Sequence, residues 1–151
     1  MAPDESAFET DLRIALASPV KTGLIEIIPQ SDVIAARIST IFPLSGSKID
    51  WRATRGHLSV VETSRDRELV AFSDFFDRQS KELGRESVAY YLNDSQIDCS
   101  LRASLWTFSR HLNKIIGIPS HHYFVADDIS WCLALSMEGD MDFGYAPGDV
   151  G

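Results

Sequence analysis

The fold is decided by residues 119–146, PSHHYFVADDISWCLALSMEGDMDFGYA. Three runs within this stretch have side chains of two alternating sets at successive positions: residues 122–126, 131–137 and 141–145. A period of two is typical of β-strands, because successive side chains point to opposite faces. The connections Asp127-Asp128 and Glu138-Gly139-Asp140 are short enough for hairpins, which join antiparallel strands. The stretch therefore predicts a three-stranded antiparallel meander over about residues 119 to 146.

Helical periodicity dominates the chain before the meander. Four helices are predicted: from about residue 6 to 17, from Ser31-Asp32 to Pro43, from Thr63 or Ser64 to Gly84, and from about Ser95 to Ile116. The first begins with the capping-box pattern Ser6-Ala7-Phe8-Glu9. Pro19 is expected to end it, because proline cannot donate a hydrogen bond and restricts the residue before it.

Apolar stripes indicate which helix faces are buried. They comprise Val33, Ile34, Ile38 and Ile41 in the second helix, Leu69, Phe72 and Phe76 in the third, and Leu101, Leu105, Phe108, Leu112 and Ile115 in the fourth. Strand-forming residues predict one further strand at 87–92, whereas residues 23–28 fit an edge strand or a buried connection equally well. Residues 43–55 are interpreted as a loop that is too short to be a domain linker.

The predicted order of elements is α, α, α, β, α, β, β, β. This order lacks the regular alternation of a doubly wound parallel sheet and therefore favours the α+β class. With 151 residues, of which 44% are hydrophobic and 24% charged, the chain has the size and composition of one ordinary globular domain. We expect a single domain, residues 1–151, in which about four helices cover one face of the meander.

Cysteine usage and the N-terminus favour the cytoplasm. Cys99 and Cys132 form no Cys-x-x-Cys pair and have no histidine at zinc-ligand spacing, so they are interpreted as structural thiols. The N-terminus begins with acidic residues and lacks the basic segment and apolar run of a signal peptide. Apolar stretches are only a few residues long, so no membrane association is expected.

Negative charge is concentrated at the C-terminus. Residues 115–151 contain no lysine or arginine but six carboxylates, and they supply six of the eight net negative charges of the chain: Asp127, Asp128, Glu138, Asp140, Asp142 and Asp149. A region of one sign attracts partners of the opposite sign and repels polyanions. The charge distribution therefore favours a basic partner and disfavours nucleic acid, whose phosphates need clustered lysine and arginine.

Residue patterns that would indicate catalysis or metal binding are weak. Glu138, Asp140 and Asp142 place three carboxylates within five residues, but the spacing is not that of an EF-hand, so a hydrated hairpin tip with exposed carboxylates is expected. His121 and His122 are neighbours on a predicted strand and should point to opposite faces, which prevents both from holding one ion. Cys132 paired with one of these histidines is a conceivable nucleophile, but an inert buried thiol is the usual occupant of such a strand position.

No serine elbow, His-Glu-x-x-His segment or phosphate-binding glycine loop occurs in the sequence. We therefore predict a protein that is not an enzyme, has no catalytic, cofactor-binding or metal-binding residues, and binds another protein. Tyrosine is a preferred anchor in protein interfaces, and Tyr145 lies among the acidic residues of the tail.

Residues 119–144 carry a resemblance to a known class of proteins. The pattern Trp131-Cys132, followed by Glu138-Gly139-Asp140 and Phe143-Gly144, resembles the C-terminal part of bacterial immunity proteins that neutralise polymorphic or contact-dependent toxins. The resemblance implies a small, acidic, non-enzymatic α+β protein that binds a cognate toxin domain, often a basic nuclease, and covers its active site. Binding residues are not shared across these families, so the resemblance assigns none.

The sequence thus predicts an immunity protein, monomeric or weakly dimeric, whose partner is a basic toxin. The predicted partner-binding residues are Asp127, Asp128, Glu138, Asp140, Asp142 and Tyr145. Two alternatives remain open. An acidic secretion chaperone would have similar size and charge but would normally dimerise, and a small hydrolase would need an active site that the sequence does not reveal.

Overall fold

The computed structural model describes residues 6–45, 48–94 and 96–147. Its elements, in chain order, are α1 (Ala7–Ala15), α2 (Ala17–Lys21), β1 (Glu26–Ile28), α3 (Asp32–Ile41), β2 (Leu44–Ser45), β3 (Lys48–Ile49), a 3-10 helix (Trp51–Ala53), β4 (Arg55–Val61), α4 (Arg65–Leu83), β5 (Val88–Asp94), β6 (Ser100–Ser104), α5 (Leu105–Ile115), β7 (His121–Ala126), β8 (Trp131–Leu135) and β9 (Asp140–Tyr145). Asp149 of the acidic tail and Ser95, where the fourth helix was predicted to begin, lie outside the described residues.

Seven strands form one sheet in the order β1-β6-β5-β7-β8-β9-β4, and every neighbouring pair is antiparallel. The predicted meander is confirmed as β7-β8-β9, with Phe124 opposite Leu133 and Leu133 opposite Phe143. Strands β2 and β3 form a separate hairpin. The α+β class is therefore confirmed, and β1 settles the open interpretation of residues 23–28 as an edge strand.

The main core lies between one face of the sheet and helices α1, α4 and α5. Phe124 is its centre, because the rings of Phe76, Phe108 and Phe72 lie 5.0, 5.3 and 6.2 Å from the Phe124 ring. These side chains are fully buried, and burying each one contributes roughly 1.5 to 3 kcal/mol. The predicted packing of α5 and α4 against the meander is therefore confirmed.

Helices cover both faces of the sheet, so the expectation that they cover only one face was wrong. On the second face, Ile34 of α3, Phe42 and Ile49 pack against Val125 and Cys132 of the meander. The reason lies in β8, all five residues of which are buried. A central strand that is apolar on both faces requires cover on both faces.

The fourth predicted helix is in fact a strand followed by a helix. Strand β6 ends at Ser104, whose hydroxyl accepts a hydrogen bond from the Thr107 N–H at 3.1 Å and caps α5. Leu101 belongs to the strand, and its spacing of four residues from Leu105 imitates a helical face. The alternation of Cys99, Leu101 and Ala103, all buried, is the strand signal that the helical periodicity concealed.

Smaller corrections concern helix ends and faces. Pro19 does not stop the chain from being helical; it occupies the first turn of α2, where a missing N–H removes no bond within the helix. In α3, Val33 and Ile41 are exposed, and in α4 Leu69 is exposed, so the predicted stripes are narrower than expected.

Residues 43–55 contain more structure than the predicted loop. They hold the β2-β3 hairpin and the 3-10 helix and lead into β4, which pairs with β9 at the edge of the sheet. All seven residues of β4 are exposed, so this strand has no buried face of its own.

Candidate functional site

The predicted partner-binding residues do not form one patch. Asp127 and Asp128 lie in the turn between β7 and β8, whereas Glu138 and Asp140 lie at the opposite end of β8, where the chain turns into β9. Tyr145 is paired with Trp131 and therefore belongs to the same end as the two aspartates. The structure thus divides the predicted interface into two regions at opposite ends of one strand.

At the first end, both aspartates are engaged in contacts within the chain, and one of them is paired with an arginine. The Asp127 carboxylate lies 3.4 Å from the Arg102 guanidinium, and its backbone carbonyl accepts from Arg37 at 3.3 Å. Asp128 accepts from the Ser130 N–H at 3.0 Å and closes its own turn. The Tyr145 ring packs edge-to-face on the Phe143 ring at 5.1 Å.

The second end borders a cleft of about 130 Å³ on the face of the sheet opposite the main core. Strands β7 to β9 form its floor, and β3 and the 3-10 helix form its wall. The side chains that give the cleft its character are two carboxylates, two aromatic rings, one histidine and one lysine: Asp140, Asp142, Trp51, Tyr123, His121 and Lys48. Carboxylates that were predicted from a local run thus meet aromatic residues from other parts of the chain.

The sequence predicted that Asp142 is an exposed residue of the hairpin tip, and this prediction was wrong. Asp142 lies inside β9, its side chain is 14% exposed, and its carboxylate is 2.8 Å from the Nε2 atom of His57 on β4. The His57 ring in turn stacks on the Trp51 ring, with 5.9 Å between centroids and 12° between planes. Asp142 therefore links β4 and the wall of the cleft to the floor.

Glu138 is the exposed carboxylate at this end, with a side chain that is 60% exposed. Its own backbone N–H and then the Ser136 hydroxyl lower the pKa of Glu138, and the nearby Lys48 ammonium and His121 ring lower it further. These two groups lie 3.8 and 4.0 Å from the carboxylate. Glu138 is therefore held in its charged form at the rim of the cleft.

Ser136 organises the turn that presents these carboxylates. Its Oγ accepts from the N–H groups of Glu138 and Asp140 at 3.2 and 3.0 Å, and it donates to the Asp140 carboxylate at 3.4 Å. The Met137 N–H donates to Nδ1 of His121 at 3.1 Å, which ties the turn to β7. Local sequence analysis missed Ser136, although a serine two and four residues before clustered acids is a usable turn signal.

The vicinal histidines point to opposite faces, as predicted. His121 borders the cleft, whereas His122 is buried in the main core, where its Nδ1 lies 2.7 Å from the Tyr91 hydroxyl. The same hydroxyl oxygen accepts from Asn93 Nδ2 at 3.0 Å. Burial lowers the pKa of His122 to about 4, and the hydrogen bond to the Ile118 backbone opposes that shift. His122 is thus a neutral, hydrogen-bonded core residue.

Cys132 is fully buried and packs with Val125 on the second face of the sheet. Burial raises the pKa of its thiol far above the ordinary value, and the charge of Asp142 adds to that rise. A thiol in this environment stays protonated, so the hypothesis of a Cys132 nucleophile finds no support in the geometry.

A larger cavity, of about 320 Å³, lies beside the cleft between α3 and the sheet. Among the described residues its lining is mainly apolar, with Ile38, Leu92 and Ile97 prominent, and Asp98 is the one charged side chain that they contribute. A lone carboxylate beside apolar groups provides no pair of groups for acid–base chemistry. The smaller cleft therefore remains the candidate site.

Two further observations concern the chain as far as the structure describes it. No three histidine, cysteine or acidic side chains converge in a way that could hold a metal ion. Within the same residues, no helix combines the length and apolar content that spanning a bilayer requires.

Comparison with family models and with curated proteins gives no relative from which function can be transferred. No protein-family model matches the chain, and no curated protein matches it, so its function has to be inferred from the geometry of the site.

Proposed function

We propose that the chain is a non-enzymatic binding protein that neutralises a basic toxin domain, that is, an immunity protein acting in the cytoplasm. The observation that carries the proposal is the cleft in which Asp140 and Asp142 lie beside the rings of Trp51 and Tyr123, with the charged Glu138 at its rim. The C-terminal resemblance and the local excess of negative charge support the same partner class.

The size of the cleft favours a side chain of a protein over a metabolite. Small-molecule sites usually enclose about 300 to 1,000 Å³, whereas this cleft encloses about 130 Å³. Arginine fits its chemistry, because a planar guanidinium pairs with carboxylates and stacks on aromatic faces. Buried aromatic and arginine contacts also contribute most of the binding energy in protein interfaces.

Lys48 is the side chain that a cationic partner must displace. Its ammonium lies 3.8 Å from the Glu138 carboxylate, and both side chains are more than half exposed. Water screens such an exposed ion pair, so little free energy opposes the exchange. An arginine of the partner that reaches Asp140 and Trp51 would gain more than Lys48 loses.

The test begins with the partner, recovered by pull-down from the native operon or by co-expression with the adjacent gene. A chain that neither binds nor protects against the neighbouring gene product would overturn the proposed function. With a partner in hand, the Glu138→Lys, Asp140→Lys double variant should slow association at low salt and abolish protection of cells. Asp142 is left unchanged, because its contact with His57 makes it a structural residue.

Matched variants separate the cleft from net charge. Asp11→Lys together with Asp74→Lys makes the same change in charge at exposed positions of α1 and α4, and it should leave association nearly unaltered. Trp51→Ala should accelerate dissociation and cost about 2 kcal/mol or more if Trp51 is an anchor. An unaltered on-rate and full protection by the Glu138, Asp140 variant would show that the cleft is not the interface.

A further inference from the structure

Strand β4 is an open edge of the seven-stranded sheet. It bonds β9 on one side, and no other strand of the described residues pairs with it on the other side. Three of its apolar side chains are well exposed: Leu58 at 48%, Val60 at 38% and Val61 at 58%. Soluble proteins usually protect such edges with charges or proline, because an unpaired edge is a template for another strand.

The outward-facing backbone groups of β4 can be identified from its pairing. The Glu62 N–H donates to the Gly139 carbonyl at 3.1 Å, so Glu62 faces β9. Because alternate residues of an antiparallel strand bond the same neighbour, Val60 and Leu58 also bond β9, and the backbone groups of Ser59 and Val61 point away from the sheet. These outward groups are the ones that a new strand would pair with.

A bulge near the start of β4 determines what lies across from each residue. Arg55 is opposite Tyr145 and Leu58 is opposite Phe143, so two residues, Gly56 and His57, occupy the one position opposite Gly144. Counted in ladder positions, Arg55 therefore lies three positions before Ser59, and Glu62 lies three positions after it. The strand is symmetric in length about Ser59 and carries opposite charges at its two ends.

That symmetry makes the edge complementary to itself. When a second copy is placed antiparallel about a two-fold axis at Ser59, Leu58 lies across from Val60 of the second copy, and Arg55 lies across from Glu62 of the second copy. Each contact occurs twice, as in any isologous interface. Cross-strand apolar pairs and pairs of opposite charge each stabilise a sheet by roughly 0.2 to 1 kcal/mol.

Both charged residues have groups available for this contact. Arg55 donates from Nε to the Ala146 carbonyl at 2.9 Å, which orients the side chain and leaves its terminal nitrogens for a second partner. One Glu62 oxygen accepts from the Ser64 N–H at 3.2 Å, and the other oxygen faces no described donor. These contacts occupy the Nε of Arg55 and one oxygen of Glu62, and they leave the remaining charged groups for an ion pair across the edge.

We propose that two copies of this chain pair antiparallel through β4, about an axis at Ser59, and form a homodimer with one continuous sheet. Self-complementarity in charge and in apolar side chains singles out a second copy as the occupant of this edge. The pairing extends the sheet in its plane and leaves the cleft on its face open. The proposed dimer does not rest on the proposed function: a weak dimer is compatible with an immunity protein, and a secretion chaperone would normally dimerise.

A charge-swap experiment tests this register. Light scattering after size exclusion should show wild-type mass rising with concentration from 16.8 kDa to twice that value. Arg55→Glu alone and Glu62→Arg alone should each be monomeric, because each homodimer would contain two like-charge pairs. An equimolar mixture of the two variants should recover a dimer, because each contact in the mixed dimer again joins opposite charges, one with the native signs and one with the signs exchanged.

Further variants address the edge itself. Ser59→Pro removes an outward N–H without removing a bond to β9, and it should abolish the dimer while leaving the melting temperature of the monomer nearly unchanged. Val60→Lys should also abolish it, and Val70→Lys, at an exposed position of α4, should not. A wild-type chain that stays at 16.8 kDa up to near-millimolar concentration would overturn the proposal, as would a dimer that survives Val60→Lys and ignores the charge swap.

Discussion

Replacing Gly144 with alanine should separate the wall of the cleft from its floor. A Cβ at this position would stand 2.3 Å from Thr54 Oγ1, 2.7 Å from Thr54 Cβ and 3.2 Å from Thr54 Cγ2. The Thr54 hydroxyl cannot turn away freely, because it donates to the Trp51 carbonyl at 2.6 Å. The added methyl must therefore displace the 3-10 helix that carries Trp51.

The expected loss of stability of Gly144→Ala follows from these contacts. Overpacking by one methyl group costs typically about 1 to 3 kcal/mol, and loss of the Thr54 hydrogen bond adds roughly 1 kcal/mol. We therefore expect Gly144→Ala to lower the free energy of unfolding by about 2 to 4 kcal/mol. The assay is urea unfolding followed by tryptophan fluorescence, with the change taken from the midpoint at constant m-value.

A second substitution tests whether the contact between residues 54 and 144 causes this loss of stability. Thr54→Gly removes all three atoms that the new Cβ would meet. In that background, Gly144→Ala should cost little or even stabilise, because glycine inside a strand is less favourable than alanine by roughly 0.5 to 1 kcal/mol. The double-mutant cycle should give a coupling of at least about 1 kcal/mol. Equal costs in the two backgrounds would show that residue 54 does not rest on β9.

The remaining expectations concern the core and its titratable groups. Phe108→Ala should cost about 3 to 5 kcal/mol in denaturant melts, whereas Val70→Ala, at an exposed position, should change stability by less than about 0.5 kcal/mol. The pKa of His122 is about 4 in the folded chain and about 6.5 when unfolded, so the unfolded state binds the extra proton between these values. Stability should therefore fall as the pH is lowered through that window, by up to about 1.4 kcal/mol per pH unit, and His122→Gln should remove this contribution. Burial raises the pKa of the Cys99 thiol to about 11 and raises the pKa of the Cys132 thiol further. Ellman's reagent at mildly alkaline pH should therefore modify either thiol only as fast as the chain unfolds. Rapid labelling of the native chain would contradict the burial of these thiols.

The meander could be predicted because its information is local. Strands around Phe124, Leu133 and Phe143 carry their alternation within a few residues, and short acidic turns separate them. Two strands joined by a short hairpin can only pair with each other antiparallel, so assigning the three strands also determined the topology of the meander. The helices α4 and α5 were recognisable for the same reason, since their buried faces recur within the helix.

Long-range pairing is what the sequence could not show. Strand β4 is exposed along its length and is held by β9, more than seventy residues later, so the pairing that makes it a strand lies outside its own sequence. The start of α5 was missed for a different reason. Leu101 and Leu105 satisfy a helical spacing and a strand-to-helix junction equally well, and the pairing of β6 with β5 decides between them.

At the candidate site, too, local features could be predicted from the sequence and long-range contacts could not. Local sequence revealed the density of carboxylates around Glu138, Asp140 and Asp142, but not their surroundings. His57, which is 85 positions from Asp142, pairs with that aspartate and leaves its side chain only 14% exposed, and Trp51 comes from the same distant segment. Charge density is a property of sequence, whereas exposure and pairing are properties of the fold.

The residues that carry the immunity-protein resemblance can now be given separate physical roles. Gly139 has φ of +89°, and a Cβ there would stand 2.0 Å from the Glu62 carbonyl oxygen, while Gly144 leaves room for Thr54. Both glycines are therefore needed for the chain before α4 to lie against β9.

Trp131, Cys132 and Phe143 are buried, so they too are explained by packing. Only Glu138 and Asp140 of the pattern present carboxylates at the rim and lining of the cleft. A shared fold would suffice to produce the rest of the pattern, and any functional content of the resemblance must reside in these two positions. Charge reversal at Glu138 and Asp140 is accordingly the substitution that tests recognition of the partner while both glycines, and the contacts of β9 with Glu62 and Thr54 that they permit, stay intact.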